Sequence, residues 1–175
     1  MTQLSSQWEA RCAELWAALD TLDAQTFVQR IDALADERPA GDAIGLFERA
    51  CARDSTGHSD LAAPLYRQAL AAGLSGIRRR RATIQLASSM RNLGQPHEAI
   101  ALLEHEQQRT RDELDSAVVA FLSLALADVG REREALRLCL TALAGHLPRY
   151  NRSVVNYASD LMAAASGKER SGDDA

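Results

Sequence analysis

The sequence predicts an all-α fold, an α-solenoid of stacked antiparallel helical hairpins with about nine helices. Three observations lead there. Of the 175 residues, 46% are apolar and 5% aromatic, with only 10 glycines and 4 prolines. Alanine and leucine dominate and β-branched residues are thin, the composition of helices rather than sheet. Glycines at 57, 94 and 130, standing 37 and 36 residues apart, head three similar stretches, GHSDLAAPLYRQAL, GQPHEAIALLEHEQ and GREREALRLCLTAL. An alanine follows each glycine by five positions (Ala62, Ala99, Ala135), a larger residue stands four further on (Tyr66, Leu103, Cys139), and Ala69, Glu106 and Ala142 complete the pattern.

Upstream of each glycine runs a helical apolar pattern: Leu46, Phe47 and Ala50, then Ile84, Leu86, Ala87 and Met90, then Val119, Leu122 and Leu126. Each unit therefore reads as helix, glycine turn, helix. The glycine takes the left-handed backbone past the first helix, and the small alanine lets the second helix approach closely. One such hairpin cannot bury its own apolar face, so neighbours must stack.

The flanks read as helices too. Ser6 and Glu9 are spaced as a capping box, followed by Trp8, Cys12, Leu15, Trp16 and Leu19 on one face. Phe27, Ile31 and Leu34 mark a second helix that ends before Pro39. Residues 1–38 are thus expected to form an N-terminal hairpin, either a decayed repeat or a cap, with three repeats over 39–147. Pro148 suits a first helical position. Tyr150, Val154, Tyr157 and Leu161 then predict an amphipathic capping helix over 148–166, and 167–175 reads as a disordered tail.

Composition excludes several function classes. A net charge of −4 offers no basic footprint for nucleic acid. No segment approaches the ~20 apolar residues of a membrane span, and the first 16 residues carry no apolar signal-peptide core. Three well-separated cysteines without CxxC spacing read as reduced thiols in a cytoplasmic chain. Cys12, Cys51 and Cys139 are expected to be small buried hydrophobes, Cys51 near the inner face of its hairpin. His58, His97, His105 and His146 read as solvated turn or surface residues, and His97-Glu98 lacks the second histidine of an HExxH zinc motif. No phosphate-cradling loop, catalytic triad order or carboxylate pair stands out. No catalytic residue, metal or cofactor is expected, and the chain does not read as an enzyme.

The repeat pattern resembles the tetratricopeptide repeat, a helical hairpin of about 34 residues with a small residue late in helix one and Ala-x3-aromatic in helix two. The likeness runs from about Asp42 to Leu147 and is strongest in TIQLASSMRNLGQPHEAIALLEHE. The stretch LYRQALAAGLSGIRRRRATIQLASSMRNLG is similar to that of a bacterial subgroup of small tetratricopeptide proteins. The period here runs two or three residues long, which longer turns or an extra helical turn would absorb, and Glu106 stands where a small residue is usual. The resemblance implies a right-handed superhelix whose first helices line a concave groove for a peptide or helix of a partner protein.

Carried over by register, that groove would be lined by Phe47, Cys51 and Asp54, then Arg81, Gln85, Ser88, Arg91 and Asn92, then Ala120, Leu124 and Asp128. The middle repeat supplies the polar donors, since arginine and asparagine can hold a peptide backbone or a carboxylate. A clamp of this family for C-terminal carboxylates uses a lysine and an asparagine. Phe47 and Cys51 stand at the corresponding places, so that activity is not carried over. The run Arg78-Arg79-Arg80-Arg81 cannot form one patch, because successive helical residues point about 100° apart. It reads as arginines pairing with nearby acids, with Arg81 the best groove candidate. The Trp8/Trp16 stripe reads as cap packing, a homodimer face or a partner groove. The expected function is an adaptor binding a protein or peptide, with no nucleic acid or membrane partner. The alternative is a structural or regulatory role by self-association into a homo-oligomer through the terminal helices.

Overall fold

The computed structural model describes residues 3–109 and 111–168. The described residues form nine α-helices and no strand: α1 (Gln3–Ala17), α2 (Ala24–Asp36), α3 (Ala43–Ser55), α4 (Ser59–Ala71), α5 (Gly76–Asn92), α6 (Pro96–Arg109), α7 (Asp115–Asp128), α8 (Glu132–Ala144) and α9 (Asn151–Lys168). A 3₁₀ turn, Leu19–Thr21, joins α1 to α2. Residues through Leu93 make one compact unit and those from Gly94 a second.

In the first unit each helix packs on the next, from α1 to α5, and α5 also lies against α3. Two of the helix starts are fixed by side chains. Asp23 accepts from Thr26 N at 2.9 Å to open α2, and Asp42 accepts from Gly45 N at 2.9 Å to open α3. The α3–α4 turn is closed by Gly57 at φ +85°, with His58 N bonded to Arg53 O at 2.8 Å and Gly57 N to Asp54 O at 3.0 Å. That pair of hydrogen bonds is the Schellman cap, which needs a residue comfortable at positive φ. The core beneath is tight: Phe47, Ala50, Ala62, Tyr66 and Ala69 are fully buried. Trp8 and Cys12 of α1 pack with Leu34 of α2, flanked by Leu15, Trp16 and Ile44. Trp8 donates Nε1–H to Leu34 O at 2.8 Å, so its polar tip is satisfied inside.

In the second unit α7 packs on α6 and α8, and α8 on α9. Gly130 repeats the Gly57 turn, with Arg131 N on Leu126 O at 2.9 Å. Leu103, Val118, Leu122, Leu126, Ala135 and Ala158 are buried. Asn151 ties the start of α9 back to α8, its Nδ2 donating to Ala144 O at 2.5 Å and Leu147 O at 2.8 Å.

Several local expectations are corrected. Ser6 lies inside α1, which begins at Gln3, so Ser6 and Glu9 are not a capping box. The final helix begins at Asn151 rather than Pro148, because Tyr150 sits at φ +69° and breaks the helical path before it. Tyr150 and Tyr157 point outward, 76% and 71% exposed, and the inward face of α9 is Val154, Val155, Ala158 and Leu161. Cys139 is exposed rather than buried. The 37-residue spacing from Gly57 to Gly94 has its reason in helix length: α5 runs 17 residues where α3 runs 13, one additional turn. The tail expected at 167–175 begins with the last two residues of α9, and 169–175 lie outside the described residues.

Candidate functional site

Where α3 and α5 lie together, their side chains pair in a fixed register. The Arg81 guanidinium stands over the Phe47 ring at 5.4 Å. Cys51 donates its S–H to Gln85 Oε1 at 3.4 Å, a spacing of 34 in sequence, and Ser89 donates to Asp54 Oδ1 at 3.0 Å, a spacing of 35. Tyr66 of α4 donates its hydroxyl to the other Asp54 oxygen at 3.3 Å. First helices of consecutive hairpins thus run parallel, one repeat apart.

Burial sets the chemistry of this strip. It raises Asp54's pKa above the usual carboxylate range against the opposing pull of the Ser89 and Tyr66 hydroxyls. It pushes the Cys51 thiol up to about 12, and the Cys12 thiol likewise to about 12, where the nearby Glu48 charge adds to it. Neither thiol is a nucleophile at neutral pH.

Toward the start of α3 a charged network joins three helices. Glu48 is buried, and its carboxylate accepts from Trp16 Nε1 at 2.7 Å and Arg78 Nε at 3.2 Å. Two donors make that burial tolerable. Arg78 turns its other two nitrogens onto Glu9, Nη1 to Oε1 at 3.1 Å and Nη2 to Oε2 at 2.5 Å, a bidentate fork. A cleft of about 260 Å³ opens beside these groups, with Arg81 at its rim.

The register places the expected residues as follows. Arg81, Gln85, Ser88 and Asn92 follow one another at i, i+4, i+7 and i+11 along the water-facing side of α5, Arg81 and Asn92 exposed and the other two half-buried. Arg91 is half-buried beside them. Asn92 donates Nδ2–H to Ser59 Oγ at 3.2 Å. Phe47 does not line the surface: its ring is fully buried, beneath Arg81 and 6.3 Å from the Tyr66 ring. The longer Arg81 covers it. Cys51 is buried with its thiol on Gln85, and Asp54 is committed to Ser89 and Tyr66. Asp128 is exposed at the end of α7 in the second unit, where Ala120 and Leu124 are exposed as well.

The arginine run divides as the 100° step requires. Arg78 pairs with acids, Arg79 is half-buried, Arg80 is buried and Arg81 is exposed. Arg81 makes no ion pair among the described residues. The tryptophan stripe faces inward: Trp8 is buried under Arg38, and Trp16 stacks edge-on with Phe27 at 5.1 Å. Sequence reading did not foresee Glu9 and Glu48 as partners of Arg78. The one available signal was four cations near a helix start, which calls for acids from elsewhere.

Hairpins closed by glycine caps, with first helices in a 34-residue register, define a helical-repeat protein. The family model described as Tetratrico peptide repeat matches residues 43–161, and the chain belongs to that family. The match runs from α3 into α9 and leaves out α1 and α2. The comparisons with curated proteins and with solved structures found no match. The family is in general a non-enzymatic fold for protein–protein interaction.

Proposed function

We propose that the chain is an adaptor that holds a carboxylate-bearing peptide of a partner protein along the outward stripe of α5. One observation carries the reading: over Gly76–Asn92 the helix has five arginines and no acid, and its exposed Arg81 has no acidic partner among the described residues. The Phe47 ring beneath orients the Arg81 guanidinium, a contact worth about 0.5–1 kcal/mol at an exposed site. Gln85, Ser88 and Asn92 offer amide and hydroxyl groups for a peptide backbone between Arg81 and Arg91. Those two arginines lie ten residues apart, about 15 Å at 1.5 Å per residue, the span of four or five extended residues.

The test is the double variant Arg81→Ala with Arg91→Ala, read by capture of a partner purified from a pull-down and by titration of a labelled hexaglutamate peptide. Arg81→Ala loses the contact on Phe47 and Arg91 is half-buried, so stability should fall by about 1 kcal/mol or somewhat more while the chain stays folded and helical, which circular dichroism checks. Affinity should fall about tenfold or more, about 1.4 kcal/mol. Wild-type affinity in the folded double variant refutes the reading.

A further inference from the structure

Resting on the reading of α5 as a peptide-binding face, the geometry points to a second element of that site. We propose that the cleft between α1, α3 and α5 is a carboxylate subsite, and that Glu9, on its wall, holds Arg78 until an acidic side chain of the bound peptide takes its place. The cleft measures about 260 Å³ and lies between Glu9, Ala13 and Trp16 of α1, Glu48 of α3 and Arg78 and Arg81 of α5. That is room for one large side chain.

Three features single it out. Arg78 and Arg81 are three residues apart on one helix and both line the cleft, so one carboxylate entering it meets two guanidinium groups. Only one of the two is neutralised: Arg78 by Glu9 and Glu48, Arg81 by no acid among the described residues. The two acids are not equivalent. Glu48 is buried, its side chain 6% exposed, and is held by Trp16 as well as Arg78. The Glu9 side chain is 33% exposed and the Arg78 side chain 26%, and Glu9 belongs to the N-terminal helix. Solvent reaches both partners of the Glu9 pair, so another carboxylate can approach Arg78 and exchange with Glu9, whereas Glu48 is closed off. Glu48 is therefore the fixed support that aims Arg78, and Glu9 the movable group. Glu9 on Arg78 is bidentate, with one carboxylate oxygen on each of two nitrogens, which is the geometry an aspartate or glutamate of a partner would adopt. The fork is an intramolecular copy of the complex, and the affinity of the free protein for acidic peptide is reduced by the competition.

The test is titration of N-acetylated, C-amidated hexaglutamate, with hexaglutamine as the uncharged comparison, by the variants Glu9→Gln, Glu9→Asp and Glu14→Gln. Glu14 lies on the other flank of α1, beside Arg11 and Arg30, and controls for net charge. Glu9→Asp keeps the charge but withdraws the carboxylate by one methylene. It needs no new packing should Glu9→Gln loosen α1. Glu9→Gln should bind hexaglutamate about fivefold or more tighter than wild type, Glu9→Asp should tighten by a smaller factor, and Glu14→Gln should stay within twofold. Adding Arg78→Ala to Glu9→Gln should erase the gain, and hexaglutamine should show none. Equal tightening by Glu9→Gln and Glu14→Gln overturns the subsite, as does no tightening by either Glu9 variant. If hexaglutamate binding is unchanged by Glu9→Gln yet lost in the Arg81/Arg91 double variant, the subsite fails and the α5 face stands. If hexaglutamate binds none of the chains, both fail.

Discussion

Two glycines of the same hairpin should respond to alanine with opposite signs. Gly45 lies in the first turn of α3, its N–H capped by Asp42. A Cβ built there meets Ala35 O at 3.5 Å, Ala35 Cβ at 3.8 Å and Arg38 Cδ at 3.8 Å, all ordinary van der Waals contacts. Gly45→Ala therefore adds a methyl to a buried seam without a clash and removes the excess freedom of glycine from the unfolded chain. The expected gain is about 0.5–1 kcal/mol, a rise in melting temperature of about 1–4 °C for a chain this long. Gly57 presents the reverse case. A Cβ there meets nothing within 4 Å, but φ is +85°, where an L side chain costs about 1–2 kcal/mol. Gly57→Ala should lose about 1 kcal/mol although space is plentiful. Both positions lie in the unit that ends at Leu93, so urea titrations followed by helical circular dichroism compare the same transition. A Gly57→Ala chain as stable as wild type, or a Gly45→Ala chain less stable by 1 kcal/mol, would refute this account of the turn and of the α2–α3 seam.

Two further outcomes test the strip between α3 and α5. Burial holds the folded pKa of Asp54 above its unfolded value, so the group costs the fold nothing while protonated in both states, and the cost appears as pH rises from about 4 through the folded pKa. Asn carries no such charge. The melting temperature of Asp54→Asn relative to wild type should therefore increase between pH 4 and pH 7, and a difference that is flat or falls contradicts the assignment. Thiol labelling at neutral pH should modify Cys139 rapidly and leave Cys12 and Cys51 unmodified until denaturant is added, since both are buried with thiols pushed up to about 12. Labelling of three thiols in the native protein would contradict the packing.

What was legible in the sequence followed from local rules. Gly57 and Gly130 announce helix ends because a Schellman cap needs positive φ, and Ala62 and Ala99 mark close helix contacts because nothing larger fits. The 37-residue spacing overstated the structural period, since the additional turn sits inside α5 while the side chains of α3 and α5 pair at 34. Cys139 obeyed the repeat pattern yet lies exposed, because a register position gives the phase of a side chain on its own helix and not what packs over it. The candidate site was legible only on its own helix. The alignment of Arg81, Gln85, Ser88 and Asn92 follows from helical phase. The partners of Arg78 did not, because Glu9 stands 69 residues away and Glu48 stands 30, and periodicity reports only neighbours within an element. Phe47 illustrates a finer limit: phase gives the side of a helix a residue occupies, not whether a longer neighbour covers it.

The central claim, that ligand lies along α5, is tested most directly by site-specific crosslinking. A benzophenone maleimide on Ser88→Cys, in a Cys139→Ser chain whose remaining thiols are buried, should photo-crosslink to labelled hexaglutamate. The same reagent on Arg67→Cys, on the exposed side of α4, should not. The account predicts a saturable Ser88 crosslink that unlabelled hexaglutamate abolishes and hexaglutamine does not. Crosslinking from position 67 with none from position 88 would contradict it.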